Sequence, residues 1–494
     1  MRSQALTPAA RWLPGLILIL ALGVALRLVN LAAPPLDFHP TRQLRNSLVA
    51  RAIFFNAAAN ADPQKRALAE SFRRAVGQYE PPIFETIVGE TFLLMGGESF
   101  AVARVYGTLF WLLAGVALFD LARRITSPVS GLISLTYYLV LPFSVQASRS
   151  FQPDPLMTSA FVIGVYFLYR WSEDPSWRWA VLGAAFLGFA ALVKIVIVFL
   201  VVGAAIPIVL TALGRRFWKS AQLWTMVAVT AIPAAGYYLL GNLSRSTEYF
   251  FAWTVDLIKL ITSPHFYADW LGFVGSLVGL IILFLSLVGT CLASARFRWL
   301  LIGLWAGYLL YGITLPFQMF THSYYHLQLI PVIALGLLPI VEALLERARQ
   351  LGRVWRMAAL VPLLVLIAYQ AWAARSTLAA EDFSDAPRLW QSVGEAIPGD
   401  ADVIALTQDY GFDLMYWGWC KVHLWPLNTT LSQFRNDARE LAVRFAELTA
   451  GNDYFLVTAF GQLESQPALA AALDGYSVAA EGDGYILYDL NAPK

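Results

Sequence analysis

The stretch AVLGAAFLGFAALVKIVIVFLVVGAAIPIVLTAL, residues 180–213, decides the fold. It is apolar or small throughout except for Lys194. A bilayer core of about 30 Å takes about 20 such residues per helix, within a range near 17–25. The stretch therefore reads as two membrane helices, 179–193 and 195–213, that turn at the lysine. Similar runs recur from Trp12 to Trp372. They predict about eleven spans: 12–31, 101–121, 129–147, 155–170, 179–193, 195–213, 221–241, 270–294, 299–315, 325–345 and 354–373. The first run is too long for the apolar part of a signal peptide and lacks a small-residue cleavage site, so it is expected to remain as a helix. The predicted fold class is mainly α, a polytopic membrane helical bundle with a large first outer loop and a small C-terminal α/β soluble domain.

Composition agrees. Of 494 residues, 58% are hydrophobic and 14% are charged, against about a quarter charged in a soluble domain. This excludes an ordinary soluble protein, a disordered chain and a fibrous repeat. The formal net charge of +2 gives no sign of nucleic-acid binding. Two cysteines, Cys291 and Cys420, cannot build a disulfide framework or a cysteine metal cluster, and both read as unpaired.

Basic residues in the short connections set the orientation. Arg123 and Arg124, Arg170 and Arg178, Arg215, Arg216 and Lys219, Arg296 and Arg298, and Arg347, Arg349, Arg353 and Arg356 all follow even-numbered spans. With Arg2 and Arg11 they fall on one side if the N-terminus is cytoplasmic. The apolar stretch Pro82–Met95 then cannot be a full crossing and is expected to lie on the outer face. Three segments remain outside: 32–100, 242–269 and the tail from Arg375. The expected domains are a transmembrane part, 1–374, and an extracytoplasmic α/β part, 375–494. In the tail, Asp382, Asp385, Glu395, Asp400 and Asp402 mark a change of composition. Helical patterns at 387–397, 433–449 and 466–473 alternate with strand patterns at Val403–Leu406, Tyr454–Thr458, Tyr476–Val478 and Tyr485–Tyr488.

The candidate residues fall on the outer side. Asp37 lies shortly after span one, before Pro40, which suits the first turn of a helix. That helix carries Arg42 and Arg45, which share a face. The bland alternative is that Asp37 caps the helix and the arginines meet lipid headgroups. Asp154 sits between prolines, in Pro153-Asp154-Pro155-Leu156, before span four. It too could be a cap. Glu80 opens the surface helix, in which Glu85 and Glu90 are embedded. Lys194 is either a snorkelling residue at a turn or a cation for a lipid phosphate. His322, Tyr324, Tyr325 and His326 cluster before span ten. Histidines four apart permit a metal pair, but no third ligand is near, and an aromatic interface belt explains the tyrosines alone. Donors to a phosphate or sugar account better for the whole cluster. His265 on the other outer loop is weak by itself. Asn242-Leu-Ser and Asn428-Thr-Thr match glycosylation acceptors.

In this order the landmarks resemble the GT-C superfamily of membrane glycosyltransferases, above all the protein O-mannosyltransferases and the lipid A aminoarabinose transferase. That family has an acid soon after span one, here Asp37. It often has Asp-Glu there, and Phe38 replaces the second acid in this chain. Glu80-Pro81-Pro82-Ile83 fits its surface-helix motif loosely. Asp154-Pro155-Leu156 matches its turn between spans three and four, and Lys194 its lysine between spans five and six. Tyr324-Tyr325-His326-Leu327 with Pro331 matches the segment opening a late span.

The resemblance implies transfer of a sugar from a polyprenyl-phosphate-linked donor to a lipid, glycan or protein acceptor outside the inner (plasma) membrane. An acceptor hydroxyl needs a base, and Asp37 is the candidate, with inversion at the anomeric carbon. Arg42, Arg45, Glu80, Lys194, His322, Tyr325 and His326 are the candidate substrate-binding residues, the cations and donors among them for charge growing on the phosphate. Asp154 would orient the acceptor or hold a divalent cation such as Mg²⁺ or Mn²⁺. Sugar and acceptor specificity is expected in the outer loops and the tail. Two rival classes are a transporter or lipid flippase and a noncatalytic assembly protein. A transporter would place polar groups near the midplane on broken helices and repeats, whereas here they gather at one face.

Overall fold

The computed structural model describes residues 12–77, 79–241, 254–255, 257–380, 382–399, 401–428 and 441–494. Arg2, Arg11, the Asn242 triplet, Asp400, the threonines after Asn428, most of 242–256 and the 433–440 part of the expected helix lie outside the described residues. The chain divides into two compact units. The first comprises Met1–Leu31, Gln78–Phe84 and Phe100–Glu381; the second comprises Ala32–Gly77, Glu85–Ser99 and Asp382–Lys494.

In the first unit each expected apolar run is helical. Among the described residues, six helices are long and apolar enough to cross a membrane: Phe100–Ile125, Ile195–Lys219, Ala221–Leu240, Ala295–Thr314, Ser323–Gln350 and Arg353–Ala380. Two further runs are bent pairs, Pro128–Val140 with Pro142–Ser148 at 61° and Pro264–Val278 with Leu280–Leu292 at 96°. Leu13–Arg27 and Trp177–Val193 are shorter apolar helices, and Pro153–Glu173 takes the remaining run. The chain is a multi-span membrane protein. Helix Ile83–Met95 rises only about 20 Å, short of a bilayer core.

Both bends have a chemical cause. Pro142 has no amide hydrogen, which frees the Tyr138 carbonyl. The Ser144 hydroxyl and the Trp111 indole, at 3.3 Å, donate to that carbonyl instead. The second pair breaks at Gly279, whose φ of 85° suits glycine alone. Elsewhere backbones touch: a methyl on Gly303 would overlap the Gly203 carbonyl, the close approach that small residues permit between membrane helices. Arg27 is a charge inside the expected first span and is fully buried. Its guanidinium donates to Ser148 Oγ at 2.8 Å and to the carbonyls of Gly23 and Leu139 at 3.0 and 2.9 Å.

The second unit joins the first outer loop to the tail. Its sheet has the order β2-β1-β3-β5-β4, with β1 at Val403–Leu406, β2 at His423–Leu424, β3 at Tyr454–Val457, β4 at Tyr476–Gly482 and β5 at Tyr485–Pro493. β1 is parallel to β2 and β3, and β5 is antiparallel to β3 and β4. Alternation along β1 sends Val403 and Ala405 to one core and Ile404 and Leu406 to the other. Helices Ala386–Ala396, Leu441–Thr449 and Pro467–Leu473 stand at or within the expected positions. The two-residue strand β2 was not expected.

Helix Pro40–Ala57 carries the main contact between loop and tail. Arg51 forks onto Glu98, with Nε and Nη2 each 2.8 Å from a carboxylate oxygen. Its guanidinium lies 3.6 Å from the Tyr416 ring centroid and donates to the Tyr416 carbonyl. Burial alone would lower the Arg51 pKa, but Tyr416 and Glu98 outweigh it and hold the group above its ordinary value. Arg51→Ala removes the fork from Glu98 and from the Tyr416 carbonyl. We expect a stability loss of about 2–3 kcal/mol, read as a lower Tm of the detergent-purified protein. Arg51→Lys should recover less than half of it, because an ammonium cannot make the fork.

A second contact joins Thr41 Oγ1 to Asp409 Oδ1, 2.5 Å apart. Asp413, four residues on, is buried, and its Oδ2 has no partner among the described residues. Burial, reinforced by the charge of Asp409, pushes the Asp413 carboxyl up from 3.8 to about 8. The folded state then holds a proton that the unfolded chain releases above about pH 4. Stability should therefore fall as pH rises from about 4 to 8. Melting curves at pH 5 and pH 8 check this: wild type should melt lower at pH 8, and Asp413→Asn should shrink the difference.

Candidate active site

Asp154 and Lys194 meet in the first unit. Pro153 starts helix Pro153–Glu173 with its fixed φ, which puts Asp154 in the first turn. Gln152 is the N-cap and makes no side-chain cap, so Asp154 does not serve as one. Lys194 is extended (φ −156°, ψ 115°) between Trp177–Val193 and the short turn Ile195–Ile197. Its side chain does not snorkel: Lys194 is 3% exposed and Asp154 1%. Lys194 Nζ donates to Asp154 Oδ1 at 2.8 Å. The ammonium also lies 4.8 Å from the Tyr324 ring centroid and 4.7 Å from that of Tyr325. Tyr325 stacks on Tyr311 at 6.1 Å.

Charge is balanced within this pair, but hydrogen bonding is incomplete. An ammonium has three N–H donors, and one goes to Asp154. Among the described residues, Asp154 Oδ2 is buried without a partner, as are Thr158 Oγ1 and Ser159 Oγ further along the same helix. Asp154 and Thr158 are four apart and share a face. Buried polar atoms left in this state call for water or a ligand. Among the described residues, no three His, Cys, Asp or Glu side chains gather as a metal site. The ammonium already on Asp154 opposes a divalent cation there. The group does not fit a metal.

His326 is fully buried and both its ring nitrogens are engaged. Met319 O is 3.0 Å from Nε2 and the Tyr308 hydroxyl is 2.7 Å from Nδ1. A carbonyl can only accept, so Nε2 carries the proton and the neutral ring accepts from Tyr308 at Nδ1. The Trp270 indole donates in turn to the Tyr308 oxygen at 3.2 Å. His322 is half-buried, with Thr321 Oγ1 2.7 Å from its Nδ1 and its ring 6.0 Å from that of Tyr325. Residues Ser323–His326 form a 3₁₀ turn, so the two histidines do not line an α-helical face. Glu80 is half-buried in the same unit.

The second unit holds the remaining candidates. Asp37 is half-buried, and Gln43 Nε2 donates to its Oδ1 at 3.2 Å and to the Phe38 carbonyl at 2.8 Å. The N-cap of helix Pro40–Ala57 is His39, not Asp37, and it stands in the left-handed region (φ 48°) without a side-chain cap. Such conformations collect at functional sites. Arg42 is half-buried. Arg45 is buried and donates to Asn46 Oδ1 and the Gly77 carbonyl, both at 2.9 Å, with Glu85 at 3.6 Å. Glu90 is exposed. Cys291 and Cys420 are free, as expected.

Two buried arginines were missed as residues that hold the end of the first helix. Arg149 donates to the carbonyls of Arg27, Val29 and Asn30, and Arg104 to those of Asn30 and Leu31 at 3.0 Å. They satisfy carbonyls where the chain leaves helix Leu13–Arg27. The sequence signal was Arg149 itself, five residues before Asp154.

Comparison with known proteins gives three findings. A family model described as dolichyl-phosphate-mannose-protein mannosyltransferase matches residues 79–240, which include Glu80, Asp154 and Lys194. The lipid A galacturonosyltransferase RgtD of Rhizobium johnstonii is 25% identical over 208 residues, 41% of this chain and 44% of that protein. This chain thus aligns with less than half of that relative. Among solved structures, ArnT from Cupriavidus metallidurans bound to undecaprenyl phosphate matches with a TM-score of 0.56 at 14% identity, over 98% of each chain. The archaeal oligosaccharyltransferase AglB from Archaeoglobus fulgidus, with an inhibitory peptide and a dolichol-phosphate, matches with a TM-score of 0.56 at 13% identity, over 95% of this chain and 72% of that one. At these identities the structures establish a shared fold. The likeness to GT-C membrane glycosyltransferases expected from the sequence is borne out.

Proposed function

We propose that the chain is an inner-membrane glycosyltransferase that moves a sugar from a polyprenyl-phosphate donor to an acceptor hydroxyl on the extracytoplasmic side. In this reading the N-terminus is cytoplasmic and the tail extracytoplasmic. The observation that carries the reading is the buried Lys194–Asp154 pair, walled by Tyr324 and Tyr325 and flanked by unpartnered polar atoms. A phosphate tethered to a long lipid has to be met where apolar helices end, and a buried cation there suits it.

The chemistry balances as follows. The acceptor oxygen forms a bond to the anomeric carbon from the face opposite the phosphate and gives its proton to the Asp37 carboxylate. The bond between the anomeric carbon and the phosphate oxygen breaks, and its electron pair leaves with the polyprenyl phosphate. The phosphate gains one negative charge. Lys194, with N–H groups beyond the one on Asp154, meets that charge, and low local dielectric strengthens the effect. Asp154 fixes the ammonium in place. Arg42, Glu80, His322 and Tyr325 contribute further contacts to donor or acceptor. We assign Arg45 and His326 to positioning, because Arg45 ties Glu85 to Gly77 and both nitrogens of His326 are engaged.

Binding of undecaprenyl phosphate to the purified protein tests the donor side. Lys194→Gln should weaken it about tenfold or more. Equal affinity in wild type and variant would remove Lys194 from the donor site.

A further inference from the structure

The chain leaves β1 toward β2 on one side, while β3 lies on the other. In α/β sheets a crevice opens at the carboxyl ends of parallel strands where the order reverses in this way. The residues at that point here are polar. Thr458, after β3, has its hydroxyl 2.8 Å from Thr407 Oγ1 and 3.0 Å from Gln408 Oε1. Asp409 follows and takes the Thr41 hydroxyl. Asp409 and Tyr410 are consecutive non-glycine residues in the left-handed region, with φ of 48° and 57°. Such strained conformations cluster at ligand-binding and active sites. This one leaves the large Tyr410 ring 59% exposed, beside Phe412 at 5.9 Å. Asp413 completes the loop, nine-tenths buried or more, with an oxygen that no group among the described residues satisfies.

We propose that this loop, Thr407–Asp413 with Thr458 and Thr41, is a saccharide-binding subsite, with Tyr410 as the platform for the sugar ring. Hydroxyls, an amide and a carboxylate match the alternating donors and acceptors of a polyol. An exposed aromatic face matches the apolar C–H face of a pyranose. Residues 403–413 and 454–464 contain no lysine or arginine, and the cation next to Thr41 in sequence is Arg42, so the strand ends themselves offer a neutral ligand no opposing charge. Thr41 is four residues after Asp37 in the same unit. The subsite therefore deepens the glycosyl-transfer reading, on which it rests, by making the acceptor a neutral glycan.

Fluorescently labelled full-length protein in lipid nanodiscs, applied to an array of neutral oligosaccharides, phosphorylated oligosaccharides and peptides, tests this. We expect capture by neutral oligosaccharides. Tyr410→Ala should reduce it about tenfold or more, the scale of losing an aromatic anchor. Tyr410→Phe should retain it, which separates ring stacking from misfolding. Capture by peptides or phosphorylated sugars alone, no capture, or equal capture by Tyr410→Ala overturns the proposal. Undecaprenyl phosphate binding is measured on the same sample. Its absence with glycan capture intact would defeat the donor reading and leave the saccharide subsite standing.

Discussion

Asp37→Asn should lower sugar transfer about 10²–10⁴-fold, the range for removing a general base. The substitution preserves shape and leaves a carbonyl oxygen for Gln43, so the local hydrogen bond survives. An amide cannot take the acceptor proton. The loss should therefore fall on the turnover rate at saturating donor, with undecaprenyl phosphate affinity unchanged. Initial rates and lipid-phosphate titrations on the same preparation separate the two. Wild-type turnover by a folded Asp37→Asn protein would remove Asp37 as the base. Asp37→Glu should retain part of the activity if Gln43 can still hold the longer acid.

The second large effect concerns the buried pair. Lys194→Met strips the cation from Asp154, whose other oxygen already lacks a partner. Breaking a buried ion pair from one side costs about 3–5 kcal/mol, whereas replacing both partners by apolar groups is often close to neutral. The double variant Asp154→Leu/Lys194→Met should therefore melt at a higher temperature than Lys194→Met alone. Both variants should lose transfer by about 10²-fold or more, because neither offers a cation to the leaving phosphate. Restored stability without restored activity assigns the pair to the reaction. A double variant as active as wild type would make it structural only.

The helices were legible because the bilayer imposes a blunt requirement. Ala180–Leu213 holds a single charged residue, Lys194, and the prolines around Asp154 announced a helix start. In the tail, alternation and punctuation located β1 and β3. What escaped depends on partners far away in sequence. Arg27 sits inside an expected span because Ser148 and the Leu139 carbonyl satisfy it, more than a hundred residues later. Lys194 read equally well as a snorkelling residue until Asp154, 40 residues earlier, was found against it. His326 resembled a donor to phosphate, but Tyr308 and Met319 O engage both of its nitrogens. No periodicity reports that Thr41 meets Asp409 or that Arg51 meets Tyr416. The strand β2, only two residues long, is too short for any alternation to mark.

The central claim is that a lipid-linked sugar leaves its phosphate on this protein. Purified protein in nanodiscs, given a radiolabelled sugar on undecaprenyl phosphate and an envelope glycan fraction, tests it most directly. The account predicts label transferred to glycan, free undecaprenyl phosphate in equal amount, and neither product with Asp37→Asn. Label that stays on the lipid and only crosses the bilayer, with no glycan product from wild type, would contradict it.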